Sequence, residues 1–273
     1  MTKTKKICAL AVPALAACIG CMAVLAAPAA ASAEEAARYA DVNTFAPYAT
    51  ETIYYSNREL DHKYTDGTAP KFVAVNGMEN ACGAVAGAEI VAFYDKYYPN
   101  LIPGYESYIA ANGKYKPANS TYIYPMMQEL YVLMDTNVQA EGVNADEFRN
   151  GLAEYVNGKG YGISYTDLVS GSSFNYDAYK SAINSNKVVA LLSRPTEVYT
   201  ISESSGYDMT STLNLDGNHI MLAFGYYQIN YYNASGLFRT DTYLEVSTGL
   251  SMGVRLYKIN PHDLDAAYVI NIN

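Results

Sequence analysis

Cys82 and His219 are the two residues whose types and surroundings could carry covalent chemistry. A cysteine hydrolase needs a thiolate, a base to generate it, and donors for the oxyanion that forms on the attacked carbonyl. Cys82 follows an Asn76-Gly77 turn signal and opens a run, Cys82 to Tyr98, that reads as a helix stopped by Pro99. A thiol at a helix N-terminus sits at the positive end of the macrodipole, which favours the thiolate. The same geometry makes the Cys82 N–H an oxyanion donor, and Gly83 lets a substrate approach the backbone. The bland alternative is a buried, inert core cysteine.

The base must come from His62, His219 or His262. His62 lies in a polar stretch, Asp61-His62-Lys63, and His262 between Pro261 and Asp263, so both read as exposed loop residues. His219 opens the apolar run His219-Ile-Met-Leu-Ala-Phe-Gly225, which reads as a core strand. A histidine held there faces a helix N-terminus across a cleft; on its own it would read as a satisfied core residue. The pairing with Cys82 is what favours catalysis.

Cysteine usage supports singling out Cys82. Cys8, Cys18 and Cys21 fall in an N-terminal segment with Lys3, Lys5 and Lys6, an apolar run from Ile7 to about Ala27, and a small-x-small site at Ala31-Ser32-Ala33. That pattern predicts a secretory signal over residues 1–33. Leu15-Ala-Ala-Cys18 offers a lipoprotein alternative, with Cys18 lipidated. Without the signal, Lys+Arg falls from 18 to 15 against 27 Asp+Glu, a net charge of −12. This excludes a nucleic-acid binder driven by phosphate neutralisation and fits a secreted protein with no membrane span in its mature form. One cysteine leaves no internal disulfide framework. A monomer is expected.

The elements that must position the pair follow from pattern. Residues 34–70 are polar and Tyr-rich, either an N-terminal arm or a pro-segment, and residues 71–273 form the main domain. Lys71–Val75 reads as a strand, and Asn80 as the N-cap of the Cys82 helix. Small residues on that helix predict close packing against a sheet. Further helices are expected over Pro125–Met134, Ala145–Val156 (capped by Asn144) and Asp177–Asn184 (capped by Asn175). Strands are expected at Lys187–Leu192, His219–Ile229, Thr242–Val246, Val254–Ile259 and Tyr268–Ile272, with a hairpin connection at Asn233–Gly236. Helices first and an antiparallel sheet afterwards make an α+β fold. Tyr-rich loops near residues 102–124 and 199–215 would line the cleft. All 28 tyrosines follow the signal and there is no Trp, which reads as a recognition surface or as the bias of β-rich exported chains.

The segments Asn80-Ala-Cys82-Gly83-Ala-Val-Ala-Gly87 and Gly217-Asn-His219-Ile-Met-Leu-Ala-Phe-Gly225-Tyr226 resemble papain-like cysteine peptidases. They are most similar to the bacterial branch that includes the bacteriocin-leader (double-glycine) peptidase domains. The resemblance covers about residues 70 to 260. It implies a papain-like fold with Cys82 at the N-terminus of the central helix and His219 as base. It also implies an oxyanion side chain a few residues before the cysteine, where Asn76 stands instead of the commoner Gln, with Asn80 as fallback. A third residue, usually Asp or Asn, should orient the histidine from the next strand. The sequence departs there, offering Ser247 or Glu245, with Asp241 further off.

No HExxH, paired Cys/His metal spacing or phosphate-cradling glycine loop occurs, so no cofactor or metal is implied, and Asp216 reads as a turn residue. The resulting expectation is a secreted cysteine peptidase acting on a peptide or protein substrate through a Cys-His dyad or triad. Amide hydrolysis or transamidation would use the same residues. The rival is a degenerate papain-like scaffold that binds partners at the cell surface.

Overall fold

Where apolar runs, caps and turns fall along the chain decides the order of its elements. The computed structural model describes residues 36–41, 48–66, 69–75, 77–105 and 121–273, and of 48–50 the backbone alone. The expected signal, with Cys18, lies outside the described residues, as do Asn76 and most of the 102–124 loop. The elements are β1 (Arg38–Tyr39), β2 (Tyr48–Tyr54), β3 (Asn57–Tyr64), α1 (Cys82–Asp95), α2 (Ile123–Leu133), β4 (Val143–Asn144) and α3 (Ala145–Gly158). After these come β5 (Ile163–Asp167), β6 (Val169–Ser170), β7 (Ser173–Phe174), α4 (Tyr176–Asn184), β8 (Val189–Ser193), β9 (Thr196–Ser204) and β10 (Tyr207–Leu215). The chain ends with β11 (His219–Asn233), β12 (Gly236–Ser247), β13 (Val254–Lys258), a 3-10 turn (Pro261–Asp263) and β14 (Leu264–Ile272). Four helices and a ten-stranded antiparallel sheet among the described residues make an α+β fold. No described helix is long and apolar enough to cross a membrane.

The sheet runs β2-β10-β9-β13-β12-β11-β8-β14-β5, with β3 also paired to β11. Strand β11 is the hub. Its first residues, His219–Ala223, pair with β8, its later ones, Gly225–Tyr232, with β3, and its other edge with β12. β8, flanked by β11 and β14, is buried at every position. That environment suits its continuous apolar run, Val-Ala-Leu-Leu.

Helix α1 is buried along its whole length. Its small residues serve helix packing as much as sheet packing. A Cβ at Gly87 would come within 2.9 Å of Met134 Cε and 3.4 Å of Leu130 Cδ1, so α2 lies against this face. A Cβ at Gly83 would lie 2.9 Å from Val143 Cγ2. Gly83 therefore makes room for a protein neighbour, not for a substrate as the sequence reading expected. Helix α3 starts on a reciprocal cap: Asn144 Oδ1 accepts the N–H groups of Asp146 and Glu147 at 2.9 Å, and Glu147 Oε2 accepts the Asn144 N–H at 2.8 Å.

Two expectations change. Lys71–Val75 is irregular, not a strand. Residues 199–215 are not a loop but most of the β9–β10 hairpin, turning at Gly206 (φ +84°). The described residues of 34–70, expected as an N-terminal arm or a pro-segment, are largely strands paired with later elements: β2 with β10, β3 with β11 and β1 with β4. Removing them as a pro-segment would uncover long edges of β10 and β11.

The tyrosines act chiefly as clips between elements. Hydroxyls of Tyr94, Tyr155 and Tyr179 donate to the carbonyls of Ile270, Leu101 and Gly225 at 2.6, 2.8 and 2.6 Å. A buried phenol needs such a partner.

Two glycines of α3 give opposite expectations. A Cβ at Gly151 would lie 2.6 Å from the Leu133 carbonyl oxygen and the Met134 nitrogen, whereas at Gly158 it meets nothing within 4 Å. Gly151→Ala should cost about 1–3 kcal/mol or more by overpacking. Gly158→Ala should be neutral or stabilising by up to about 1 kcal/mol. Urea unfolding of both variants checks the pair.

Candidate active site

Cys82 is the first residue of α1, and its helix begins without a side-chain cap of its own: Ala81 holds the cap position. The N–H groups there are instead taken by Asp41, which lies forty residues upstream. Its carboxylate accepts Asn80 N–H at 2.6 Å and Ala81 N–H at 3.0 Å. Asn80 is not the expected cap. It adopts a left-handed backbone (φ 55°) and its side-chain amide donates to Asn137 Oδ1 at 3.0 Å. The segment carrying Asp41 is fixed by Arg38, whose guanidinium donates to the carbonyls of Ala140, Glu141 and Gly142 and pairs with Glu147. Gly142 (φ +71°) is obligatory at this crossing, because a Cβ would lie 1.8 Å from the Tyr39 carbonyl oxygen.

His219 opens β11, 1 % exposed. Its Nε2 lies 2.7 Å from the Thr248 carbonyl oxygen and its Nδ1 lies 3.3 Å from the Ala40 carbonyl oxygen. Burial holds the imidazole below its usual 6.5, opposed by those two carbonyls and by the Asp41 charge. A neutral ring has one N–H, and the short contact assigns it to Nε2. Nδ1 then keeps its lone pair, and the Ala40 oxygen becomes a true acceptor only when the ring takes a second proton.

Cys82 and His219 line one cavity of about 310 Å³. Asp41, Thr248 and Gly249 supply its polar parts, and Val73, Val85 and Leu250 its apolar wall. Two larger hollows, of about 490 and 430 Å³, have neither cysteine nor histidine in their walls, so chemistry rather than size selects the smaller one. Inside it the thiol is pushed up to about 12, first by burial and then by the Asp41 charge; backbone groups of Ile220, Gly83 and Cys82 oppose this. The helix start does favour the thiolate, as the sequence predicts, but desolvation outweighs it. The resting pair is a neutral thiol and a neutral imidazole.

The sequence looked for the third residue on β12, and the structure brings neither candidate to His219. Ser247 Oγ donates to Glu89 Oε1 at 2.6 Å. Glu245 Oε2 lies 3.1 Å from His62 Nε2, on β3 at the opposite side of β11. Asp241 pairs with Arg239 and Lys258. His262 is exposed on the 3-10 turn. The group at His219 Nε2 is instead the backbone carbonyl of Thr248, one residue beyond Ser247.

Sequence reasoning also missed Asp41, Ala40 and Glu89. Backbone carbonyls leave no trace in residue type. Glu89 did leave one: it is the single ionisable side chain in the run Ala84-Val-Ala-Gly-Ala-Glu-Ile-Val-Ala-Phe93. It is 1 % exposed, and burial pushes its carboxyl up to about 8.

No family model, no curated protein and no solved structure matches this chain.

Two predictions follow from these charges. Glu89 is raised in the fold from 4.5 to about 8, so the native state holds a proton that the unfolded chain releases. Its contribution is intact below pH 4.5 and is lost between about 4.5 and 8, by at most about 1.4 kcal/mol per pH unit. Glu89→Gln should remove that slope in urea titrations across this range. Asp41→Asn should lower both the Cys82 and His219 pKa values, since the Asp41 charge raises each; alkylation kinetics and histidine NMR titration read the two shifts.

Proposed function

We propose that this protein is a papain-like cysteine hydrolase cleaving peptide or amide bonds, with Cys82 as nucleophile and His219 as base. The observation that carries the reading is that the chain's one cysteine after the expected signal and a rigidly held histidine, about 140 residues apart, share one cavity. The resemblance of the two segments to papain-like peptidases supports it, as does an α+β fold with the cysteine opening a buried helix.

The neutral resting pair favours a general-base route over a preformed thiolate–imidazolium. His219 Nδ1 takes the thiol proton as the sulfur–carbon bond forms and the carbonyl oxygen becomes an oxyanion. The imidazolium is favoured at that moment by the Thr248 and Ala40 carbonyls and the Asp41 carboxylate. The Cys82 N–H is the oxyanion donor. Collapse breaks the carbon–nitrogen bond, and Nδ1 returns its proton to the leaving amine. Water, deprotonated by the same nitrogen, releases the acid and restores the thiol. With the Thr248 carbonyl in the orienting role, a dyad suffices. The apolar wall fits an uncharged substrate side chain. Export is part of the proposal and rests on residues 1–33 of the sequence; the substrate would be an extracellular peptide or protein, with the enzyme acting as a monomer.

One observation favours a second reading, a degenerate scaffold that binds partners: a thiol pushed up to about 12 is a poor nucleophile unless the base engages it. Iodoacetamide alkylation of Cys82 from pH 4 to 11 separates the two. The hydrolase gives a rate that rises through the His219 pKa, below 6.5, then levels, and that falls about 10²–10⁴-fold in His219→Ala. A scaffold gives alkylation only at high pH, identical in both proteins.

A further inference from the structure

Glu89 is a buried carboxyl that the hydrolytic steps do not use. It lies on α1, seven residues after Cys82, so the two share roughly one face of the helix two turns apart. Its Oε1 accepts two hydrogen bonds, from Phe72 N–H at 2.8 Å and from Ser247 Oγ at 2.6 Å. Its Oε2 is buried without a partner among the described residues. The segments it joins are the walls of the cavity. Phe72 precedes Val73 and Ala74, which line it, and Ser247 precedes Thr248, Gly249 and Leu250, which also line it. The third wall is α1 itself, with Cys82 and Val85.

An acid in this position is costly to bury, and its neighbours on the helix, from Val85 to Phe93, are all apolar. An apolar residue of similar volume would pack the helix equally well but could not hold either segment. The Thr248 carbonyl is the group at 2.7 Å from His219 Nε2, so its position decides where the imidazole points.

We infer that Glu89 is the positioning residue of the site, holding the Thr248 carbonyl, and through it His219, in register with the Cys82 helix by way of Ser247. This rests on the hydrolase reading for its consequence but not for its geometry. Because its acceptor is a carbonyl-type oxygen, a glutamine can do the same work. An alanine cannot.

The test uses the full chain and three variants: Ser247→Ala, Glu89→Ala and Glu89→Gln. The His219 ring resonances and titration, followed by ¹H–¹³C NMR, report its placement without any substrate. The His219-dependent alkylation of Cys82 reports its competence. Ser247→Ala and Glu89→Ala should shift the His219 Cε1–H resonance and slow alkylation at pH 7 by about tenfold, while Glu89→Gln stays close to wild type on both. A role confined to stability would lower the melting temperature and leave the His219 resonance where it was; that result in a folded Ser247→Ala protein overturns the inference. If Glu89→Ala does not fold, Ser247→Ala decides alone. If wild-type alkylation does not depend on His219, the hydrolase reading fails, and the resonance shift still decides the tie.

Discussion

Strand β11 is the constraint on which the site depends. It accepts three partners: β8 beside its first residues, β3 beside its later ones, and β12 along its other edge. Fixing it on both sides fixes the direction in which His219 leaves the sheet, at the point where β11 meets the start of α1. β12 runs antiparallel beside it, so the residues just past its end, Thr248 among them, return to the same place. Strand register therefore brings the histidine and the Thr248 carbonyl together.

Desolvation sets the chemistry that this geometry permits. A rise of the Cys82 thiol from 9.0 to about 12 corresponds to roughly 4 kcal/mol against the thiolate. A helix N-terminus favours the thiolate by only about 0.3–2 kcal/mol, and the rise to about 12 is what remains after backbone groups of Ile220, Gly83 and Cys82 have opposed the burial. The larger effect wins, and the same balance keeps His219 neutral and Glu89 protonated near neutral pH. Cys82, His219 and Glu89 are thus all uncharged near neutral pH. Asp41, exposed at the rim of the site, is the fixed charge.

Residues that state their role through their own type were legible in the sequence. Asn144 marked the start of α3, Asn175 marked α4, and the Asn233–Gly236 turn and the apolar run after His219 marked the β11–β12 hairpin. The β9–β10 hairpin was not legible, because Thr, Ser, Glu and Asn fill both its faces and its inward positions are largely threonines and an aspartate. Asp41 as a cap was beyond reach for a different reason: a cap normally lies within a few residues of its helix, and this one arrives from a separate segment. Thr248 acts through its backbone, for which any side chain would serve. Glu89 was visible as a lone carboxyl in an apolar helix, but only contacts with Phe72 and Ser247 give it meaning.

The pairing of β2 with β10 and of β3 with β11 also dictates an order of assembly. Ile53 meets Asp208 and Leu60 meets Ile229, so the early strands have no partner until most of the chain has been made. The β9–β10 and β11–β12 hairpins are local and close quickly, whereas these long-range closures are slow. The segment that brings Ala40 to His219 and Asp41 to the start of α1 is itself tied to residues 140–147 through Arg38 and the β1–β4 pairing. A nascent chain therefore carries Cys82 before His219 and the Thr248 carbonyl, its neighbours in the cavity, have been made.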